Sequence, residues 1–103
     1  MKLALAAIFV IGIAAVACDC DVACPAGYTP NCVGSKQGCN CSCDKGAKDA
    51  RKAISRALQA AHTSEQVRED VAKYLDEHPA PVTHVFLDSK SGEQFTVYLG
   101  QPK

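Results

Sequence analysis

The chain has 103 residues, and its 11 lysine and arginine residues balance 11 aspartate and glutamate residues, so the formal net charge is zero. This balance gives no electrostatic reason to bind nucleic acid, and we expect no nucleic-acid partner. The length allows one small domain, and seven cysteines are available to reinforce its small core.

The first 17 residues have the pattern of a secretory signal peptide. Lys2 precedes an apolar run over residues 3–17, and Ala15 and Ala17 stand before Cys18 as in an Ala-x-Ala cleavage site. The run is shorter than the ~20 residues that span a bilayer, so we predict cleavage, secretion and no transmembrane segment in the mature chain. The sequence AAVAC also resembles a bacterial lipobox, which implies the alternative of a lipid anchor on Cys18.

Residues 18–43 form a head that contains every cysteine of the chain. Secretion places these cysteines in an oxidising compartment, so we predict disulfide bonds. Their number is odd, so one cysteine is expected to stay unpaired and could link two chains covalently. The spacing leaves roughly a hundred pairings open. The disulfide candidates are Cys18, Cys20, Cys24, Cys32, Cys39, Cys41 and Cys43.

The head is also rich in Gly, Pro and Asn, which predicts loops with at most short strands. Residues 25–38 would form a loop held rigid by flanking disulfides. We predict that this loop is one of two candidate binding surfaces; the other lies on the C-terminal hairpin described below. Cys39, Cys41 and Cys43 alternate, so in an extended strand their side chains would point to one side and meet the three earliest cysteines. Asn40 begins a possible glycosylation sequon, NCS, and is interpreted as a turn residue.

The stretches CDC and CNCSC resemble metallothioneins locally. This resemblance implies that the Cys-x-Cys pairs bind a soft metal ion. The signal peptide and the cysteine-free tail favour disulfides instead, so metal binding is our third hypothesis. We predict no metal site and no cofactor.

Two amphipathic helices follow the head. Asp44 precedes the first, of about 15 residues, as its predicted N-cap. Thr63 is the predicted N-cap of the second, with Gln66 at the third helical position, and Pro79 ends it. Their short connection predicts an αα-hairpin. The apolar positions are Ala50, Ile54, Ala57, Leu58 and Ala61 in the first helix, and Val67, Val71, Tyr74 and Leu75 in the second.

Two β-rich runs, Val82–Leu87 and Gln94–Leu99, predict a β-hairpin at the end of the chain. Pairing Val85 with Val97 and Leu87 with Phe95 would make one face wholly apolar. The other face would then carry four partly polar side chains: His84, Phe86, Thr96 and Tyr98.

The predicted fold class is therefore α+β, in three segments. The signal peptide (residues 1–17) precedes the disulfide-stapled head (residues 18–43) and a helix-helix-hairpin body (residues 44–103), with head and body in one compact unit. The αα-hairpin packs on a two- or three-stranded antiparallel sheet, and residues 39–43 are the expected source of a third strand.

The predicted function is non-catalytic, with no catalytic residue assigned. We expect a small secreted cysteine-rich protein that binds an extracellular protein or other macromolecule, as effectors, toxins, inhibitors and antimicrobial proteins do. The candidate binding surface is the set His84, Phe86, Thr96 and Tyr98. The alternative is a small secreted hydrolase or ribonuclease that uses His84 and Glu93 in acid–base chemistry.

A basic stripe of Lys48, Lys52 and Arg56 runs along the first helix at intervals of four residues. It could bind phosphate or another anionic surface. We interpret it as a solvated face that pairs with the acidic second helix.

Overall fold

The computed structural model describes residues 23–102 of the chain. The predicted signal peptide (residues 1–17), Cys18 and Cys20 lie outside the described residues. The elements in chain order are β1 (Tyr28–Ser35), β2 (Gly38–Lys45), α1 (Ala47–Ala60), α2 (Glu65–Glu77), β3 (Val82–Leu87) and β4 (Gln94–Leu99). No helix among the described residues is both long enough and apolar enough to cross a membrane.

The two helices pack on a four-stranded antiparallel sheet with the strand order β2-β1-β4-β3. The predicted α+β class and the αα-hairpin are therefore confirmed. The predicted number of strands is wrong, because the sheet has four strands rather than two or three. Residues 39–43 do form a strand, as expected, within β2, and β1 is the strand that was not predicted; β1 and β2 pair as a hairpin.

The prediction of loops for residues 25–38 is wrong, because most of this segment is the inner strand β1. Asn40 likewise lies in a strand, β2, and not in a turn. Pro30 is tolerated in β1 because it faces the end of β4. There the Gly100 N–H donates to the Pro30 carbonyl (2.9 Å). The N–H that proline lacks would lie at this end of the β1–β4 pair, so its absence removes no hydrogen bond from the middle of the two strands.

Asp44 does not cap α1 as predicted. It lies in β2, and its carboxylate accepts hydrogen bonds from the Asn31 side-chain amide (2.8 Å) and from the Ser42 hydroxyl (2.7 Å). The residue before α1 is Gly46, whose φ of 88° lies in the left-handed region that glycine favours. A glycine therefore makes the sharp change from β2 to α1.

The connection between the helices is shifted by one residue from the prediction. Ser64, not Thr63, is the N-cap of α2, and its hydroxyl accepts from the Val67 N–H (3.4 Å). The Thr63 hydroxyl donates to the Leu58 carbonyl at the end of α1 (2.9 Å). Each hydroxyl thus satisfies one helix terminus.

The hydrophobic core lies between the helices and one face of the sheet. α1 covers β1 and β2, and α2 lies against β3. The predicted helical stripes supply most of the core, together with one residue of β1 and alternate residues of β4. The buried members are Val33, Ala50, Ile54, Leu58, Val67, Val71, Leu75, Phe95, Val97 and Leu99.

The predicted register of the β3–β4 hairpin is wrong by one residue, because Leu87 pairs with Gln94 and not with Phe95. Side chains alternate along a strand, so this shift turns every β3 side chain to the other face. Phe86 lies opposite Phe95 on the helix side of the sheet. Val85 and Leu87 point away from the helices and are 44% and 60% exposed.

Asp88 fixes this register at the turn. Its N–H donates to the Glu93 carbonyl (2.8 Å), and its carboxylate accepts from the N–H groups of Ser64 (2.9 Å) and Lys90 (3.0 Å). The pKa of Asp88 is lowered, and the hydrogen bond from the Ser64 N–H is the largest cause. Burial alone would raise this pKa, but the hydrogen bonds outweigh it. Asp88 therefore ties the hairpin turn to the first turn of α2.

Disulfide bonds connect the hairpin of the head. Cys24 bonds to Cys43 over a sequence separation of 19, and Cys32 bonds to Cys41 over a separation of 9. Cys32 and Cys41 lie directly opposite each other in the β1–β2 register. Cys39 is also disulfide-bonded. Because β2 is extended, Cys39, Cys41 and Cys43 point to the same face, away from the helices.

Candidate functional site

Four aromatic or imidazole rings lie together where the end of α2 meets β3. The Tyr74 ring stands between two histidines: its centroid is 3.8 Å from that of His78, at 13° between the ring planes, and 4.1 Å from that of His84, at 20°. Phe86 meets Tyr74 edge to face at 5.6 Å and His84 at 4.9 Å. We call Tyr74, His78, His84 and Phe86 the aromatic surface.

Local structure explains why these rings meet. Tyr74 and His78 are four residues apart, so they lie above each other on one helix face. His78 ends α2, and both its N–H (3.0 Å) and its Nδ1 (2.9 Å) contact the Tyr74 carbonyl. His84 and Phe86 alternate along β3 and so point to the same side, towards Tyr74.

The aromatic surface is partly open to solvent. His78 and His84 are exposed, whereas Tyr74 and Phe86 are half-buried. Phe86 also packs against the hydrophobic core. The surface is thus anchored at its inner side by Phe86 and presents the two imidazoles outward.

The structure separates the four residues of the predicted binding surface into two pairs. His84 and Phe86 lie on the helix side of the sheet, within the aromatic surface. Thr96 and Tyr98 point to the opposite face, because Val97 between them is in the core. Thr96 is buried and Tyr98 is half-buried. The prediction that all four share one face is wrong, and the one-residue shift of register is the cause.

The sequence reasoning missed two members of the aromatic surface. Tyr74 falls within the predicted apolar stripe of the second helix, and the helical pattern assigns no role to His78, which follows the last residue of α2. The i, i+4 spacing of the two rings at the end of a helix is the signal that could have found them. Their meeting with His84 depends on tertiary packing, which the spacing does not show.

The alternative catalytic pair is not brought together. His84 lies level with Val97 on the neighbouring strand, and Glu93 precedes Val97 by four residues, which is about 13 Å along a strand. The Glu93 carboxylate instead forms an ion pair with Lys36 Nζ at 2.9 Å. The two side chains therefore cannot act on one bond in this arrangement.

The described cysteines have a chemistry that differs from the metallothionein hypothesis. Soft metal ions bind thiolates. All five described cysteines are in disulfides, so their sulfurs are not thiolates in this form: Cys24, Cys32, Cys39, Cys41 and Cys43. The described residues thus use the Cys-x-Cys pattern for cross-linking.

The basic stripe is a solvated face of α1. Lys48, Lys52 and Arg56 are exposed, and none forms an ion pair with another described residue. The expected pairing between the helices occurs instead at Arg51, whose Nη1 is 3.5 Å from Asp76 Oδ1. Asp76 is largely exposed and Arg51 is partly exposed, so this pair contributes at most about 1 kcal/mol.

A groove of about 520 Å³ runs between α1 and α2. Its floor consists of core side chains that are at most 6% exposed, so each of these side chains presents little surface to a ligand. At its rim, Arg68 already donates to the Thr63 carbonyl (2.6 Å). We therefore take the aromatic surface, and not this groove, as the candidate site.

Comparison with known proteins places the chain in no family, because no family model, curated protein or solved structure matches it.

Proposed function

We propose that this protein is secreted and acts without catalysis, by binding another extracellular macromolecule through the aromatic surface. The stacking of Tyr74 between His78 and His84 is the observation that carries the proposal. The arrangement is partly exposed and holds its rings in fixed positions before any partner arrives.

Fixed aromatic rings are suited to binding for two physical reasons. Aromatic side chains are enriched among the few residues that dominate interface energies. Side chains that are already stacked lose little rotamer entropy when a partner covers them, so more of the contact energy appears as affinity. The mutual stacking of Tyr74, His78 and His84 supplies this preorganisation.

The proposal of secretion has two supports. The first 17 residues match a signal peptide. The disulfides among the described residues are typical of an oxidising compartment. The chain can be expressed at full length and the N-terminus of the product determined by mass spectrometry. An unmodified N-terminus at Cys18 in the medium supports secretion, a lipid on Cys18 supports the anchored alternative, and an intact Met1 inside the cell contradicts both.

Binding is tested with two single substitutions on β3. His84→Ala removes one outer ring of the stack, whereas Thr83→Ala, the control, changes an exposed neighbour that points to the opposite face. Wild-type protein and both variants are immobilised at equal density and exposed to the secreted and cell-surface proteins of the source organism. Any retained protein is then purified, and its affinity is measured by calorimetry.

We expect His84→Ala to weaken binding at least ~tenfold, the effect of a residue near the centre of an interface, and Thr83→Ala to leave it within about threefold. The thermal stability of both variants should stay close to that of the wild type, because both side chains are exposed. Equal retention by wild type and His84→Ala would contradict the role of the aromatic surface.

A further inference from the structure

The strand β3 lies at one edge of the sheet, and its outer side pairs with no other described strand. The Asp88 N–H donates to Glu93 across the hairpin, and backbone groups alternate in an antiparallel ladder. The N–H groups of His84 and Phe86 therefore bond to β4. Those of Thr83, Val85 and Leu87 point outward, away from the sheet.

A second hydrogen bond supports this assignment. The Gly100 N–H donates to the Pro30 carbonyl, so the even-numbered residues of β4 direct their backbone groups towards β1. The odd-numbered ones, including Phe95 and Val97, then face β3. These are the residues that lie opposite Phe86 and His84.

The outer edge of β3 lacks the features that usually prevent strand pairing. Natural edge strands carry charges or proline, among other devices. The β3 sequence VTHVFL contains no proline and no lysine, arginine, aspartate or glutamate. The acidic residue that follows it, Asp88, is turned inward to Ser64. The opposite edge strand, β2, ends in Asp44 and Lys45.

We propose that two copies of this protein associate by pairing their β3 strands, antiparallel and in register about Val85, into one continuous sheet. In this arrangement Val85 lies opposite Val85 of the second copy, and Thr83 lies opposite Leu87. The exposed apolar side chains of Val85 and Leu87 then cover each other on the face away from the helices.

The same register suits the helix side of the sheet. His84 of one copy lies opposite Phe86 of the other, so two aromatic pairs form across the two-fold axis. Because no charged side chain of β3 is brought against its counterpart, the pairing meets no like-charge repulsion. The two aromatic surfaces become neighbours on one side of the joined sheet.

This association goes beyond the proposed function and does not depend on it, since it is measured on the protein alone. A pair of six-residue strands is a small interface, so the dimer should be weak and concentration-dependent. Sedimentation velocity on the mature, oxidised protein from roughly 1 μM to 1 mM covers the range in which weak dimers dissociate. We expect the mean mass to rise from monomer towards dimer across this range.

Val85→Pro tests the backbone bonds of the proposed dimer. It removes an outward N–H but no bond to β4, and proline is tolerated in edge strands. The matched control is Val85→Thr, which keeps the N–H and the β-branched shape. We expect Val85→Pro to raise the dimer Kd at least ~tenfold and Val85→Thr to change it less than about threefold.

Leu87→Lys is a second variant that needs no change of backbone. It introduces a charge of the kind that protects natural edge strands from pairing. The control is the separate variant Gln94→Lys, which places the same charge on the inner strand β4, at the residue that pairs with Leu87. Leu87→Lys should return the protein to monomer, and Gln94→Lys should not. Circular dichroism verifies that each variant is folded, and if Val85→Pro is not, Leu87→Lys decides.

Three results would overturn the proposal. One is a wild-type protein that stays monomeric up to about 1 mM. Another is a dimer that persists in folded Leu87→Lys protein. The third is a dimer that survives on a non-reducing denaturing gel, because it would be joined by a cysteine and not by β3.

Discussion

Removing the disulfide between Cys24 and Cys43 should lower the free energy of unfolding by about 3 kcal/mol. This bridge closes a loop with a sequence separation of 19, and the loop-closure entropy for that length gives about 3 kcal/mol at 25 °C. Both cysteines are partly exposed, so the double variant Cys24→Ser/Cys43→Ser places no hydroxyl in the core. The loss should therefore reflect the freedom gained by the unfolded chain.

The effect is large enough for a simple melting experiment. An unfolding entropy of about 2.1 cal/mol/K per residue, over roughly 80 structured residues, converts 3 kcal/mol into a fall in melting temperature of roughly 18 °C. Thermal unfolding is followed by far-UV circular dichroism in non-reducing buffer. The control variant Gln37→Ser/Lys45→Ser changes two exposed residues of the same hairpin and should melt within a few degrees of the wild type. A double cysteine variant that melts within about 5 °C of the wild type would refute the loop-closure reasoning.

Three other substitutions test the turn, the strand-to-helix junction and the core. Asp88→Asn should lower the melting temperature at neutral pH, because the ionised carboxylate accepts the Ser64 N–H. The pKa of Asp88 is lowered by folding, so its stabilisation is complete above the unfolded value near 3.9 and is lost as the pH falls below it. The gap between wild type and variant should therefore close below about pH 4 in an acid melting series, and a constant gap would contradict the assignment. Gly46→Ala should cost about 1–3 kcal/mol in urea unfolding, because φ 88° and ψ 158° suit only glycine, and a change under 0.5 kcal/mol would show that the junction adapts. Ile54→Ala should cost about 2–5 kcal/mol by the same assay, since Ile54 is 1% exposed, and the exposed neighbour substitution Ser55→Ala should be nearly neutral.

The helices were predictable because their signal is local. Ala50, Ile54 and Leu58 recur at helical spacing and are buried in α1, and Val67, Val71 and Leu75 do the same in α2. The N-caps of the two helices lie two residues and one residue, respectively, after the predicted positions. For α2 the reason is that Thr63 and Ser64 are both competent caps. Only the structure shows that Thr63 turns back to the end of α1.

The faces of β3 could not be predicted, because both of its faces contain apolar residues. Val85 and Leu87 alternate with Val82 and Phe86, so a period of two gives no preference between them. The choice is made by the turn, where Asp88 bonds to Glu93 and to the start of α2. The candidate site depends on this choice. The predicted binding surface therefore includes His84 and Phe86, which share a face of β3, but it omits Tyr74, which contacts that face only in the folded protein.

The strand β1 could not be predicted from its amino-acid composition. Pro30, Asn31 and Gly34 are typical turn residues, yet they lie in an inner strand. The position is stabilised by contacts that are distant in sequence. Asn31 bonds to Asp44 in the next strand, and Gly100 bonds to Pro30 from the end of β4.

The strand order also determines when each part of the molecule can form as the chain is made. The Cys32–Cys41 disulfide joins the two strands of the β1–β2 hairpin, and the Cys24–Cys43 disulfide joins β2 to the segment just before β1, so both can close as soon as residue 43 is available. The partner that β1 requires on its other side is β4, with Val97 opposite Val33, and that strand is made roughly 60 residues later. The disulfide-bonded β1–β2 hairpin can thus form before the rest of the sheet. The last strand to be synthesised, β4, then completes the sheet by pairing with β1 on one side and with β3 on the other.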